Sequence, residues 1–197
     1  MAEKQQTEPA NDTGLKQLRG WAKVGSVRSQ FLLGLALASG EEGEPDPQAA
    51  AKWYRKAAKQ GFAPAANNLG ALYLSGALGE PNPVEAAKWF TEAAEAGEAL
   101  AQFNLARHLM ASRDEKAAIG WMQKAAKQEM PAAQNNLGVW IAEGRGADAD
   151  ETQAVGWFRK AAEQGQPQGQ YNLAVRLRYG RGTEADSATA RELFSKL

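Results

Sequence analysis

Side chains suited to acid, base or metal chemistry are sparse in this chain. His108 is the single histidine and there is no cysteine, which removes disulfides, thiolate nucleophiles and thiolate zinc sites together. A catalytic imidazole or a metal ligand needs companions, and those available to His108 are scattered carboxylates. The Gly-Arg-Gly triplets at 144–146 and 180–182 have the composition of a phosphate loop, yet neither continues as a Walker or dinucleotide fingerprint. Both read as turns. No Gly-x-Ser-x-Gly elbow is present. The residues therefore predict no catalytic site, no metal and no cofactor. An enzyme with an unrecognised carboxylate site is the alternative of another class.

Charge points the same way. Lys plus Arg equals Asp plus Glu at 23 each, so no global field favours nucleic acid or an acidic membrane, and neither is expected as a partner. Lys52, Arg55, Lys56, Lys59, Lys124, Lys127, Arg159 and Lys160 are spread among acids, the pattern of solvated helix faces. Met1 to Thr13 carry no apolar run, and the longest apolar stretch, Phe31 to Ala38, is eight residues, too short to span a bilayer. The expected compartment is the cytoplasm, or the periplasm if a leader has been removed.

What positions the side chains is a repeat. Leu33, Leu69, Leu105, Leu137 and Leu173 recur at spacings of 36, 36, 32 and 36, and Trp53, Trp89, Trp121, Trp157 and Leu193 at 36, 32, 36 and 36. A period in this range means one supersecondary unit copied and stacked. In each unit the leucine and the residue four places on form one apolar stripe of a first helix, followed by a small residue: Gly34, Gly70, Ala106, Gly138 or Ala174. A second helix starts at Asp46, Asn82, Asp114, Asp150 and Asp186, whose side chains suit an N-cap. Alanines three before and four after each tryptophan predict an indole knob buried between helices. Gly25, Gly61, Gly97 and Gly165 predict left-handed C-caps; Glu129 breaks that series, and the third unit is four residues shorter around Ser112-Arg113-Asp114.

The segments Ala-Asn-Asn-Leu-Gly-Ala-Leu-Tyr at 66–73, Gly-Ala-Leu-Gly at 76–79 and Glu-Ala-Ala-Lys-Trp-Phe-Thr-Glu-Ala-Ala-Glu-Ala-Gly at 85–97 resemble Sel1-like repeats, relatives of the tetratricopeptide repeat. The resemblance covers roughly residues 26–197. It implies an all-α fold, an α/α solenoid of about five helix-turn-helix repeats, used as a protein-binding scaffold in signalling, secretion, virulence and toxin neutralisation. The expected organisation is a flexible polar tail over 1–13, a capping half-repeat over 14–25 built on Leu15, Leu18 and Trp21, and the repeat array over 26–197.

Helical geometry places Asn68, Asn104, Asn136 and Asn172 opposite the leucine stripe, on the face that lines the concave side of such arrays. Phe103, Arg107, Trp140, Tyr171 and Arg176 lie on or beside it, with side-chain types typical of interface anchors. The asparagines either bond an extended peptide or brace neighbouring repeats. The function expected from these residues is non-enzymatic binding of a protein or peptide partner in the concave groove, as a regulatory or assembly adaptor. The alternative is a bacterial immunity protein that neutralises a cognate secreted toxin. The chain itself is expected to be a monomer or a weak oligomer through the C-terminal repeat, where Leu193, Phe194 and Leu197 meet another chain or fold back.

Overall fold

The computed structural model describes residues 12–41 and 43–197; the tail expected over 1–13 falls, but for Asp12 and Thr13, outside the described residues. Eleven α-helices and no strand are found among the described residues, and they divide into two units between Ala96 and Gly97. The first unit holds α1 (Asp12–Lys23), α2 (Val27–Ser39), α3 (Pro47–Ala58), α4 (Ala63–Ser75) and α5 (Pro83–Glu95). The second holds α6 (Ala99–Ala111), α7 (Glu115–Lys127), α8 (Pro131–Ala142), α9 (Glu151–Glu163), α10 (Pro167–Tyr179) and α11 (Ser187–Phe194). In both, the helices pack as consecutive pairs: α2 with α3, α4 with α5, α6 with α7, α8 with α9 and α10 with α11. Within each unit the next pair docks its first helix on the preceding second helix, and α1 packs against α2.

The five expected N-caps are formed. Asp46, Asn82, Asp114, Asp150 and Asp186 accept from the backbone N–H of Ala49, Glu85, Ala117, Gln153 and Thr189 at 2.8, 3.0, 3.2, 2.9 and 3.0 Å. Each cap also closes its hairpin, because its own N–H donates to a late carbonyl of the first helix, that of Leu37, Tyr73, Leu109, Ile141 or Leu177. At Asp186 the Thr189 hydroxyl donates as well, and these bonds hold its carboxyl below the usual carboxylate range. A depressed folded value stabilises above the unfolded one, and the contribution is lost as pH falls through the folded value. Thr189→Ala is expected to move the Asp186 midpoint up, read by carboxyl NMR titration.

The knob between helices is not the tryptophan. Tyr54, Phe90, Met122 and Phe158, each one residue later, are 2, 1, 0 and 0% exposed, whereas Trp53, Trp121 and Trp157 are half-buried. The recurrent small position explains the choice. A Cβ added at Gly70 or Gly138 would lie 2.8 or 2.7 Å from the Phe90 or Phe158 ring, and one at Gly34 would meet Tyr54. In the repeat whose small residue is Ala106, the buried position after the tryptophan holds the pliable Met122, in the same cluster. The tryptophans instead lie alongside, with the ammonium of Lys56, Lys124 or Lys160 at 4.2, 3.7 or 4.6 Å from the ring centre of Trp53, Trp121 or Trp157. Only Trp89, 8% exposed, is buried as the sequence led one to expect.

The left-handed turns follow the sequence with one substitution of means. Gly61, Gly97 and Gly165 have φ of 83, 93 and 75°, and Glu129 adopts the same conformation at 61° without the glycine's freedom. Such a φ costs a residue with a Cβ roughly 1–2 kcal/mol. Glu129→Gly should therefore raise stability by about 0.5–1 kcal/mol after the entropy that glycine adds to the unfolded chain. A shift of the urea midpoint to higher denaturant checks it.

Candidate protein-binding surface

Of the nine residues expected at a binding face, Asn68 lies in the first unit and the other eight in the second. Asn68 is half-buried and hydrogen-bonds Tyr54, whose phenol burial pushes up and this bond partly brings back. Asn172 donates to Asn135 at 2.8 Å, from α10 to α8, so at these two places the asparagine engages the protein itself. Asn104 and Asn136 are half-buried. Phe103 is half-buried beneath the exposed Arg107, whose guanidinium is 5.6 Å from the ring centre.

Two expected anchors are turned inward. Trp140 is 7% exposed and belongs to the apolar cluster of the second unit with Leu137, Ile141 and Phe158, so it is not an open contact. Arg176 lies 4.7 Å over the Phe158 ring and pairs with Glu151 at 3.4 Å. It acts between α10 and α9.

Tyr171 is different: it is 53% exposed. With Val175 and Tyr179, at spacings of four along α10, it lines a hollow of about 380 Å³ completed by Arg178 and Phe194. Tyr171 meets Phe194 edge to face with centroids 5.9 Å apart. Tyr179, 63% exposed, has the guanidinium groups of Arg178 and Arg181 at 5.6 and 5.8 Å from its ring. Arg178 and Phe194 also line an adjoining hollow of about 300 Å³ with Arg191. None of Arg178, Arg181 and Arg191 is ion-paired among the described residues. The signal in the sequence is the Tyr171, Val175, Tyr179 spacing; the arginines between and after them carry no periodic mark.

Sequence reasoning missed a set of paired glutamines. Gln30, Gln102 and Gln134 are 4, 5 and 3% exposed, and each accepts at 2.9 Å from a glutamine at the end of its own repeat's second helix, Gln60, Gln128 or Gln164. Gln30 and Gln134 also donate to the carbonyls of Ala22 and Ala126 in the preceding helix. Alanine stands at both corresponding positions of the second repeat, Ala66 and Ala96; that joint replacement is the signal that could have found the pair.

The Gly-Arg-Gly turns also join repeats. Gly146 and Gly182 bring their backbones against the carbonyls of Glu115 and Glu151 so closely that a Cβ would collide, and Arg145 pairs with Glu115 at 3.7 Å. No three metal-ligating side chains converge among the described residues, and no helix there is long and apolar enough to cross a membrane.

Helix pairs stacked through second-to-first contacts, with interlocked turns, define an α/α repeat protein. The chain belongs to the Sel1 repeat family: the Sel1 repeat matches residues 27–62, 63–98, 99–130, 131–166 and 167–197. It is similar to the protective antigen c5321 of uropathogenic Escherichia coli, at 37% identity and a TM-score of 0.86 over 92% of this chain and 40% of that one. A Sel1 repeat protein from Oxalobacter formigenes matches at 28% identity and 0.82, over 94% of this chain and 84% of that one. The immunity protein PA5088 from Pseudomonas aeruginosa shares the fold at 18% identity and 0.63, over 98% and 75%. The chain thus spans less than half of the antigen. No curated protein matches the chain.

Proposed function

We propose that the chain is a non-enzymatic module that binds a protein or peptide partner, as an adaptor, through the first-helix face of its second unit. The observation that carries this is the open hollow of Tyr171, Val175, Arg178, Tyr179 and Phe194. Aromatic rings and arginines of this kind dominate binding energy at interfaces, because they bury large area and form directed bonds at modest entropic cost. Arg107 with Phe103 on α6, and Asn104, Asn136 and Asn172 nearer the helix seams, form the remaining polar part of that face in this reading. Binding needs no bond made or broken.

The test begins with a partner captured on the chain and identified by mass spectrometry. Binding isotherms of Tyr171→Ala, Arg178→Ala and Arg107→Ala are then compared with thermal melts. At least one should weaken binding by about 2 kcal/mol or more with the melt unchanged, while Lys160→Glu on α9 leaves affinity as it was. Affinity indifferent to all three would remove this face. The second reading, neutralisation of a secreted toxin, is prompted by the shared fold of the Pseudomonas aeruginosa immunity proteins. It requires that the captured partner be a toxin whose activity falls on stoichiometric addition of this chain.

A further inference from the structure

A second surface lies in the first unit, on α3. Ala49, Lys52, Trp53, Arg55, Lys56 and Lys59 line a hollow of about 380 Å³ along one helix face. The helix contains no acidic residue. Lys52, Lys56 and Lys59 are exposed, and none of them is ion-paired among the described residues. Arg55 is held from one side, donating to the Tyr73 hydroxyl at 2.6 Å. The floor is apolar, formed by the half-buried indole of Trp53 and by Ala49.

The other repeats provide the control within the same chain. The positions of Ala49, Lys52, Arg55, Lys56 and Lys59 hold Glu85, Lys88, Thr91, Glu92 and Glu95 on α5, then Ala117, Gly120, Gln123, Lys124 and Lys127 on α7, and Gln153, Gly156, Arg159, Lys160 and Glu163 on α9. A lysine against the tryptophan recurs, so that pair belongs to the repeat. Four cations without an acid occur on α3 alone among these helices, so the expectation of basic residues spread among acids does not hold for Lys52, Arg55, Lys56 and Lys59. Balanced charges are the ordinary solvated face, and this face is not balanced: like charges at adjacent turns repel and cost the isolated helix stability.

We infer that this face of α3 docks a short acidic peptide segment of a partner protein, with carboxylates on Lys52, Lys56 and Lys59 and an apolar residue between them against Trp53 and Ala49. The match is one of charge and length. The lysines extend over about 10 Å of helix, room for two or three carboxylates one helical turn apart. A polynucleotide needs a longer positive track, and the corresponding face of α5 in the same unit carries Glu85, Glu92 and Glu95. This surface is independent of the one on α10, so either can fail alone.

The probe is a fluorescein-labelled peptide, acetyl-Glu-Glu-Leu-Glu-Glu-Leu-Glu-amide, titrated with the full chain by fluorescence anisotropy. A peptide with glutamine for every glutamate and a labelled ten-base oligothymidylate are run beside it. The expected result is saturable binding of the acidic peptide that weakens at least tenfold in the Lys52→Glu, Lys56→Glu, Lys59→Glu triple variant and again at least tenfold in 0.5 M salt. Trp53→Ala should weaken it severalfold, and Lys160→Glu, its counterpart site on α9, not at all. Lys56→Gln alone, with a wild-type melt, serves where the triple variant does not fold, and should weaken binding about threefold. No saturable binding of the acidic peptide, equal binding of the glutamine peptide, tighter binding of the oligothymidylate, or equal sensitivity to Lys160→Glu would each overturn the inference.

Discussion

Phe158→Ala should lower stability by about 3–5 kcal/mol, and Trp157→Ala, one residue earlier, by about 1–2 kcal/mol. Phe158 is fully buried, at 0% exposed, in the cluster that includes Ala154, Leu137 and Ile141. Its ring fills the space left by the missing Cβ of Gly138, and the Arg176 guanidinium lies over it at 4.7 Å. Truncation removes the ring that rests directly on Gly138 and leaves a void between α8 and α9 in a close-packed cluster. Trp157 only leans on the same cluster and is half-buried with Lys160 over its ring, so its removal exposes area without opening a cavity. Urea unfolding of the two variants decides between them. A Trp157→Ala loss as large as that of Phe158→Ala would restore the indole as the knob.

The misreading of the tryptophans shows what periodicity carries and what it does not. The period marks that a position matters, and it correctly fixed the repeat length, the helix pairs and all five N-caps, because a cap is decided by residues within one turn. Which of two adjacent aromatics points inward depends on the partner helix. Trp53 and Tyr54, Trp89 and Phe90, or Trp157 and Phe158 are 100° apart around their helices, and the glycine opposite each pair selects the second. Gly34, Gly70 and Gly138 were visible as a recurrent small position; the ring they receive was not. Glu129 likewise kept a left-handed turn that its side chain disfavours, because the surrounding helices impose it. At the surface, Tyr171 and Arg107 were legible as exposed by helical spacing alone. Trp140 and Arg176 were not, since Trp140 is buried in a cluster that several helices build together and Arg176 rests on the Phe158 ring of the neighbouring helix.

The paired glutamines make a second large prediction, in which the coupling is the test. Gln134 is 3% exposed, with its carbonyl satisfied by Gln164 at 2.9 Å and its amide nitrogen on the Ala126 carbonyl at 3.3 Å. Gln164→Ala leaves a buried carbonyl without a donor and should cost about 1–3 kcal/mol. Gln134→Ala removes the buried amide instead and leaves Gln164, which is exposed, free to turn to water. The Ala126 carbonyl still accepts from the Glu129 N–H. Once the buried amide is gone, losing Gln164 should matter little, so the double variant should fall short of the sum of the two losses by about 1 kcal/mol or more. The second repeat already carries the apolar solution, with Ala66 at 1% exposed and Ala96 at the partner position. Strict additivity in a urea-unfolding cycle of the four proteins would mean that the two glutamines act separately and that the bond between them contributes nothing to joining α8 and α9.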